Sequence, residues 1–549
     1  MLKSGLLLFT CLFVVITRVE QVLASTNVQI AHSLNIPSVW QQLPLSDNLS
    51  ERVVLTFALK NRNVEWLQRI FENVNNPMHR DYEKYLTMKQ VSDITSPQQT
   101  NLVIEYLNSI PDCSILNISK HGNLITVKIS LQSVNLHLNA KMKPFVHKET
   151  KEIIFRSLNG FSLPLEISKI VKTVFGIHHF PHGNAKKKFT AAQSSHPITP
   201  KEIWNRYNVS LPTSINGQSS QAIASLLGQF YNSNDLSQFQ HMYNLTQMQP
   251  IVNGDNNNGK PGMEASLDIQ YIMGIAQGIN TTINSIASNN IEDPFVQWIS
   301  VIQSQGDSSA WIHSISYGAV EKDIPADVKE TVDQEFQKIG STGRTIFVSS
   351  GDNGVRCSDY GDRFEPEWPT SSPFVVSVGA TEFKIKGGKI SEIGADFTGG
   401  GFSDAYKRPS YQDEAVTNYL NQESFPDRSY FNQNGRMFPD MTLIGKGFQV
   451  ILSGKVQSVD GTSASTPSVA ALFSLLNNIR FLQNKKPIGF LNPWLYQIAP
   501  KTPNAFYDIT EGYNSFDPCP GFFATKSFDP VSGIGVPNFA ILKDLILTK

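Results

Sequence analysis

Three short apolar runs, WIHSISYG at 311–318, TIFVSSGD at 345–352 and PFVVSVGAT at 373–381, recur in the second half of this 549-residue chain. Each reads as a strand buried on both faces, which is the habit of a parallel sheet. Helical periods alternate with them: EASLDIQYIMGIAQGI at 264–279, VKETVDQEFQKIGS at 328–341 and SVAALFSLLNNIRFL at 468–482. Such alternation predicts one α/β domain from about residue 197 onward. In that architecture, loops beyond the carboxyl ends of the strands collect the functional groups.

The preceding region has a different texture. Residues 25 to about 180 mix strand and helix signals. LTMKQVSDITSP (86–97) resembles a helix and a turn, and NLITVKISLQSVNLHLNA (123–140) alternates like paired strands. HHFPHGNAKKKFTAAQSSHPITP (178–200) then reads as an exposed linker. Within it, Lys186, Lys187 and Lys188 fit either a solvated run or a processing site.

At the start, Lys3 precedes GLLLFTCLFVVIT, and Val22-Leu23-Ala24 follows, a pattern that predicts an export signal over 1–24. Its apolar stretch is short for a membrane span. Five N-x-[S/T] sequons, at Asn48, Asn117, Asn208, Asn244 and Asn280, suit a secreted-pathway glycoprotein. Cys11 lies in the signal, leaving Cys113, Cys357 and Cys519, too few for a disulfide scaffold and without the C-x-x-C spacing of zinc sites. One bridge is plausible in an oxidising lumen. Formal net charge is −1, so no basic excess points to nucleic acid.

SVDGTSASTP (458–467) presents Ser463 at the mouth of a helix. A serine hydroxyl needs a base to become a useful nucleophile. Past residue 240 the histidines are His241 and His313, and neither has the sequence company of a catalytic base. His313 reads as packed in the sheet.

Carboxylates are the other option. Glu264 and Asp268 are four apart in a helical pattern, so they project from nearly one side of the helix. Such a pair fits a solvated face, or a base and its partner sharing a proton. Ile269, Ile272 and Met273 give the same helix a buried side. Asp352, in a Gly-flanked turn after a strand, fits either a turn aspartate or a protonated acid donating to an oxyanion. Carboxyl groups in these roles work best in acid. Asp508 and Asp529 fit solvated loop acids or, with nearby carbonyls, an oxygen-rich Ca²⁺ site.

EASLD, SSGDNG and GTSASTP, in that order behind a long N-terminal region, resemble the sedolisin family of serine-carboxyl peptidases. Supporting stretches run along nearly the whole chain: RYNV at 206–209, SYG at 316–318, GGGFSD at 399–404, RPSYQDEAV at 408–416, GFLNPWLYQ at 489–497 and DPVSGIGVPNF at 529–539. The resemblance implies a subtilisin-like parallel sheet flanked by helices, behind an α+β prosegment. It assigns Ser463 as nucleophile, Glu264 as general base and then acid, and Asp268 as its orienting partner. Asp352 would complete the oxyanion hole with the Ser463 N–H. One Ca²⁺ would be held by the Asp508 and Asp529 side chains and the carbonyls of Ile509, Thr525 and Ser527. The family prefers glycine at the last two positions, a change that carbonyl ligation tolerates if the loop path survives.

The resemblance also pairs Cys357 with Cys519 and leaves Cys113 unpaired and buried. It makes 25–195 a prosegment that inhibits and chaperones 196–549, with the linker at about 183–198 and self-cleavage in acid near Ser195–His196. Its lysosomal members imply release of tripeptides from free N-termini of peptide substrates, in a lysosome or after secretion. An acid endopeptidase on the same site, or a silent luminal binding protein, are the alternatives. One departure adjoins the nucleophile. Asp460 stands where relatives have serine, and it would either perturb the site or point outward.

Overall fold

The computed structural model describes residues 27–30, 36–37, 39–44, 51–148, 151–178, 180, 196–286, 294–358, 360–422 and 426–548. The export signal, Asn48, the three lysines and Ser195 lie outside the described residues.

Residues 51–178 contain a four-stranded antiparallel sheet. Its strands are β1 (Arg52–Leu59), β2 (Ser114–Ile118), β3 (Leu124–Ser130) and β4 (Val171–Phe175), in the order β2-β3-β1-β4. Helices α1 (Val64–Asn75) and α2 (Met88–Thr95) connect β1 to β2 together with a third helix, Thr100–Ser109. The Thr87 side chain opens α2 with a capping box closed by Gln90, as the LTMKQ run predicts. The alternation predicted over 123–140 holds only to Ser130. There the Ser130 hydroxyl accepts the Ser133 N–H and starts α3 (Leu131–His137). Leu131, Val134 and Leu138 are buried at helical spacing, so period 3.6 prevails over period 2.

The second body is the expected parallel sheet. It comprises β5 (Ser220–Ser225), β6 (Ile251–Gly254), β7 (Asn280–Ser285), β8 (Ile312–Ile315), β9 (Thr345–Ser349), β10 (Val376–Lys386), β11 (Lys389–Gly394) and β12 (Met441–Ile444). The order is β6-β7-β5-β8-β9-β10, with parallel β12 and antiparallel β11 both paired to β10. Helices α4 (Met263–Ile275), α5 (Pro294–Gln305), α6 (Ala326–Gly340) and α7 (Thr462–Leu482) cover it. The apolar runs of β8 and β9 are buried at every position, as strands covered on both faces must be.

The two bodies meet over α5 and α6. Ala58, Met88, Leu124 and Phe175 of the first join one apolar core with Trp298, Val332 and Phe336 of the second. A polar cluster is enclosed in the same seam. Glu335 and Lys338 pair at 2.7 Å on α6, both side chains almost wholly buried. Asn123 Nδ2 and Gln303 Nε2 donate to the Glu335 carboxylate, and Lys338 Nζ donates to Asn61 Oδ1. Burial opposes the charge on Glu335, but the adjoining Lys338 ammonium keeps its carboxyl below the usual range. His121 is buried beside this cluster, and burial pushes its imidazole down to about 4.

Candidate active site

Ser463 stands in the first turn of α7, where backbone N–H groups have no carbonyl partner inside the helix. These donors and the helix dipole favour negative charge at that end. Pro467 lacks the N–H that would bond the Ser463 carbonyl, so the turn opens around the nucleophile position.

Asp352 follows β9 and reaches the same turn. The Thr462 N–H and Oγ1–H both donate to Asp352 Oδ1, each at 2.7 Å, and the Gly351 N–H donates to Thr462 Oγ1 at 3.3 Å. Both of these donors act on Oδ1, and neither bond reaches Oδ2. A Cβ at Gly461 would lie 3.1 Å from that oxygen, which explains a glycine just before the helix. The Gly399 N–H donates to the Gly351 carbonyl at 2.7 Å, and a Cβ there would meet the Ser350 carbonyl at 2.0 Å. The GGGFSD stretch therefore backs the Asp352 turn by close approach of bare backbone.

Glu264 and Asp268 occupy consecutive turns of α4, which packs against α7. Both are buried, at 4% and 1% exposure, so the solvated-face reading falls. Asp268 Oδ1 accepts the Ser316 hydroxyl at 3.0 Å from just beyond β8. The buried Tyr317 phenol is pushed well above its usual value by burial and then by the charges of Glu264 and Asp268. Helices α4 and α7 and the carboxyl ends of the central strands β8 and β9 thus carry the four predicted residues.

The histidines are elsewhere. His313 lies within β8, 1% exposed, with its ring edge-on to Trp298. Burial, then Arg344, pushes it down to about 3, so it stays neutral. His241 is exposed on the helix Ser233–Met242. Asp460 is engaged by a neighbouring turn: its Oδ1 accepts the Gly447 N–H at 2.8 Å. Ser316 and the double donation by Thr462 escaped the sequence reading. No local pattern marks Ser316, because its role depends on how α4 lies over β8.

Near the C-terminus, Cys357 and Cys519 form the expected disulfide. Cys113 is unpaired but half-buried rather than enclosed, and burial raises its thiol to about 11. The predicted calcium residues come together as a loop laced to two carboxylates. Asp529 is fully buried; its Oδ1 accepts the N–H groups of Val531 and Ser532, and its Oδ2 accepts that of Thr525. Burial pushes its carboxyl up to about 7. Asp508 Oδ2 accepts the Ser527 N–H at 2.9 Å. Ser527 adopts φ 71°, the left-handed conformation glycine favours. Thr525 Oγ1 is buried without a hydrogen-bond partner. No group of three or more His, Cys, Asp or Glu that could hold a metal occurs among the described residues, so a cation here would take two carboxylates and backbone oxygens. That all-oxygen donor set fits Ca²⁺. Asn117, Asn208, Asn244 and Asn280 are exposed, as glycosylation requires.

Residues 40–180 match the Pro-kumamolisin activation domain, and residues 250–485 match the subtilase family. The chain is 34% identical to tripeptidyl-peptidase 1 of Dictyostelium discoideum, across 92% of this chain and 91% of that protein. It is 33% identical to the Homo sapiens tripeptidyl-peptidase 1, across 93% and 94%. Among solved structures, Pseudomonas sedolisin, a serine-carboxyl proteinase in complex with pseudo-iodotyrostatin, superposes with a TM-score of 0.53. It covers 65% of this chain and 99% of its own at 24% identity, a likeness of fold.

Proposed function

This chain belongs to the sedolisin family of serine-carboxyl peptidases, and on that premise we propose that it is an acid-acting tripeptidyl-peptidase matured from a zymogen. It is a serine-type peptidase with an intramolecular activation domain and peptide substrates. The observation that carries the acid reading is the burial of Glu264 and Asp268 on α4 beside the Ser463 helix, while both nearby-in-sequence histidines stand elsewhere.

In this reading Ser463 Oγ attacks the peptide carbonyl as Glu264 takes its proton. Asp268 orients Glu264 and spreads the charge of the pair. The developing oxyanion meets the Ser463 N–H and the proton on Asp352 Oδ2. Glu264 then protonates the leaving amine, and a water activated by the same carboxylate hydrolyses the acyl-enzyme. Calcium, held by Asp508, Asp529 and the carbonyls of Ile509, Thr525 and Ser527, would brace the loop that the Cys357–Cys519 bridge ties to the Asp352 region. The export signal, the sequons and the lysosomal relatives support a secretory route to a lysosome, with a cut near Ser195–His196 on the way.

Tripeptide release rests on the relatives. It is tested on acid-incubated protein with a free-N-terminus tripeptide amide and its N-acetylated twin. Cleavage of the free form alone supports the exopeptidase. Equal cleavage of both makes it an acid endopeptidase, and cleavage of neither after prosegment loss makes it a silent binding protein.

A further inference from the structure

Ser316 is the first residue beyond β8 and is 2% exposed. It belongs to the sheet, yet its hydroxyl donates to Asp268 Oδ1 on a covering helix. A buried serine hydroxyl can rotate toward a nearby backbone carbonyl, so its use on a carboxylate one turn from Glu264 is a specific arrangement. We propose that Ser316 is a positioning residue of the acid–base pair, fixing the Asp268 carboxylate and sustaining the negative charge that the pair needs to take the Ser463 proton in acid. The inference rests on the catalytic reading of Glu264, Asp268 and Ser463.

The physical case has three parts. A hydrogen bond donated to a carboxylate favours its ionised form, and charge-assisted bonds of this kind are the strong ones. Where two carboxyls one helical turn apart share a proton, a donor on one of them supports the charge of the pair. Glu264 on its own helix and the Tyr317 phenol from the strand side both face Asp268, and the phenol stays neutral. Ser316 is therefore a neutral donor that helps the pair keep its charge at a pH where free carboxylic acids begin to fill with protons.

The sign follows directly. Without the donor, the pair protonates at higher pH, and the acid limb of the rate profile moves upward. The test compares pH profiles of kcat and KM for the acid-matured wild type and the variants Ser316→Ala, Ser316→Thr and Ser316→Cys, on a free-N-terminus tripeptide amide. Expected for Ala is an acid limb displaced upward by about one pH unit, so about a tenfold loss of kcat below the optimum, with KM nearly unchanged. Thr restores the wild-type limb. Where thermal unfolding shows that the Ala variant does not fold, Cys carries the comparison, since it keeps the volume with a weak donor and displaces the limb in the same direction. A uniform loss of rate with the limb unmoved, or a Thr variant no better than Ala, overturns the proposal. A wild type without activity that Ser463→Ala removes overturns the catalytic reading instead.

Discussion

The prosegment and the peptidase body are held together differently from the way either is held internally. Inside the peptidase, β8 and β9 are buried throughout, and α7 lies over them with nearly every residue enclosed. The one imidazole in those strands, His313, is pushed down to about 3 by burial and stays neutral. The seam between the bodies combines apolar contact with an enclosed Glu335–Lys338 pair, Asn61, Asn123, Gln303 and a buried His121. Burying charge and imidazole is costly unless every partner is present, so the seam depends on pH through groups that release of the prosegment would expose. The difference teaches where a zymogen can come apart without losing its catalytic body.

Four results would break or sharpen that contrast. The largest is Ser463→Ala, which should lower kcat by about a millionfold while leaving the seam intact. In acid this variant should keep its prosegment covalently attached, read on a denaturing gel. Efficient cutting near residue 195 in the purified variant would show that maturation is not self-cleavage.

Next is Lys338→Ala. In the precursor it leaves Glu335 buried and unpaired, a loss of about 3–5 kcal/mol. In the matured enzyme, with the prosegment's Asn61 and Asn123 gone and water in their place, the loss should fall to about 1 kcal/mol or less. Denaturant unfolding of the precursor, held intact by Ser463→Ala, and of the matured variant measures both. Equal losses would erase the contrast.

His121 should contribute less and only in acid. Its imidazole lies near 4 when docked, against an ordinary value of 6.5. As pH falls from about 6.5 towards 4, the released prosegment takes up a proton that the docked form refuses. Docking weakens through that window by up to about 3 kcal/mol and is unaffected above it. His121→Gln should therefore move the midpoint of prosegment release to lower pH, followed by size-exclusion of the cleaved complex. An unmoved midpoint removes His121 from the account.

Smallest is calcium removal. A chelator should lower the unfolding temperature of the matured enzyme by several degrees, about what 1–2 kcal/mol of lost binding produces. The prosegment seam, distant from Asp529 in the chain contacts that build it, should release at the same pH as before. No change in unfolding temperature on chelation would remove the ion from the account.

Much of this was legible because the chemistry sits in short chain segments. The strand runs, the helix carrying Glu264 and Asp268, and the Ser463 turn each announce themselves within a dozen residues, and the ordered set resembles one family. Residues 123–140 misled because Ser130 fits both an alternating strand and a helix cap, and the local pattern does not decide between them. Ser316 and the Thr462 donors were not legible, since hydrogen bonds across helix and sheet arise only when the layers pack. The same holds for the seam: Asn61, Asn123, Gln303 and Glu335 are far apart in the chain and polar in sequence, yet they are joined by hydrogen bonds.

The central claim is that carboxylates, not histidine, move the protons at Ser463. The direct measurement is kcat/KM of the acid-matured enzyme across acid and neutral pH, for the wild type and His241→Ala. The account predicts a maximum near about pH 4–5 that declines towards neutral and is unchanged by the histidine replacement. A rate that climbs through neutral pH and is lost in His241→Ala would contradict it.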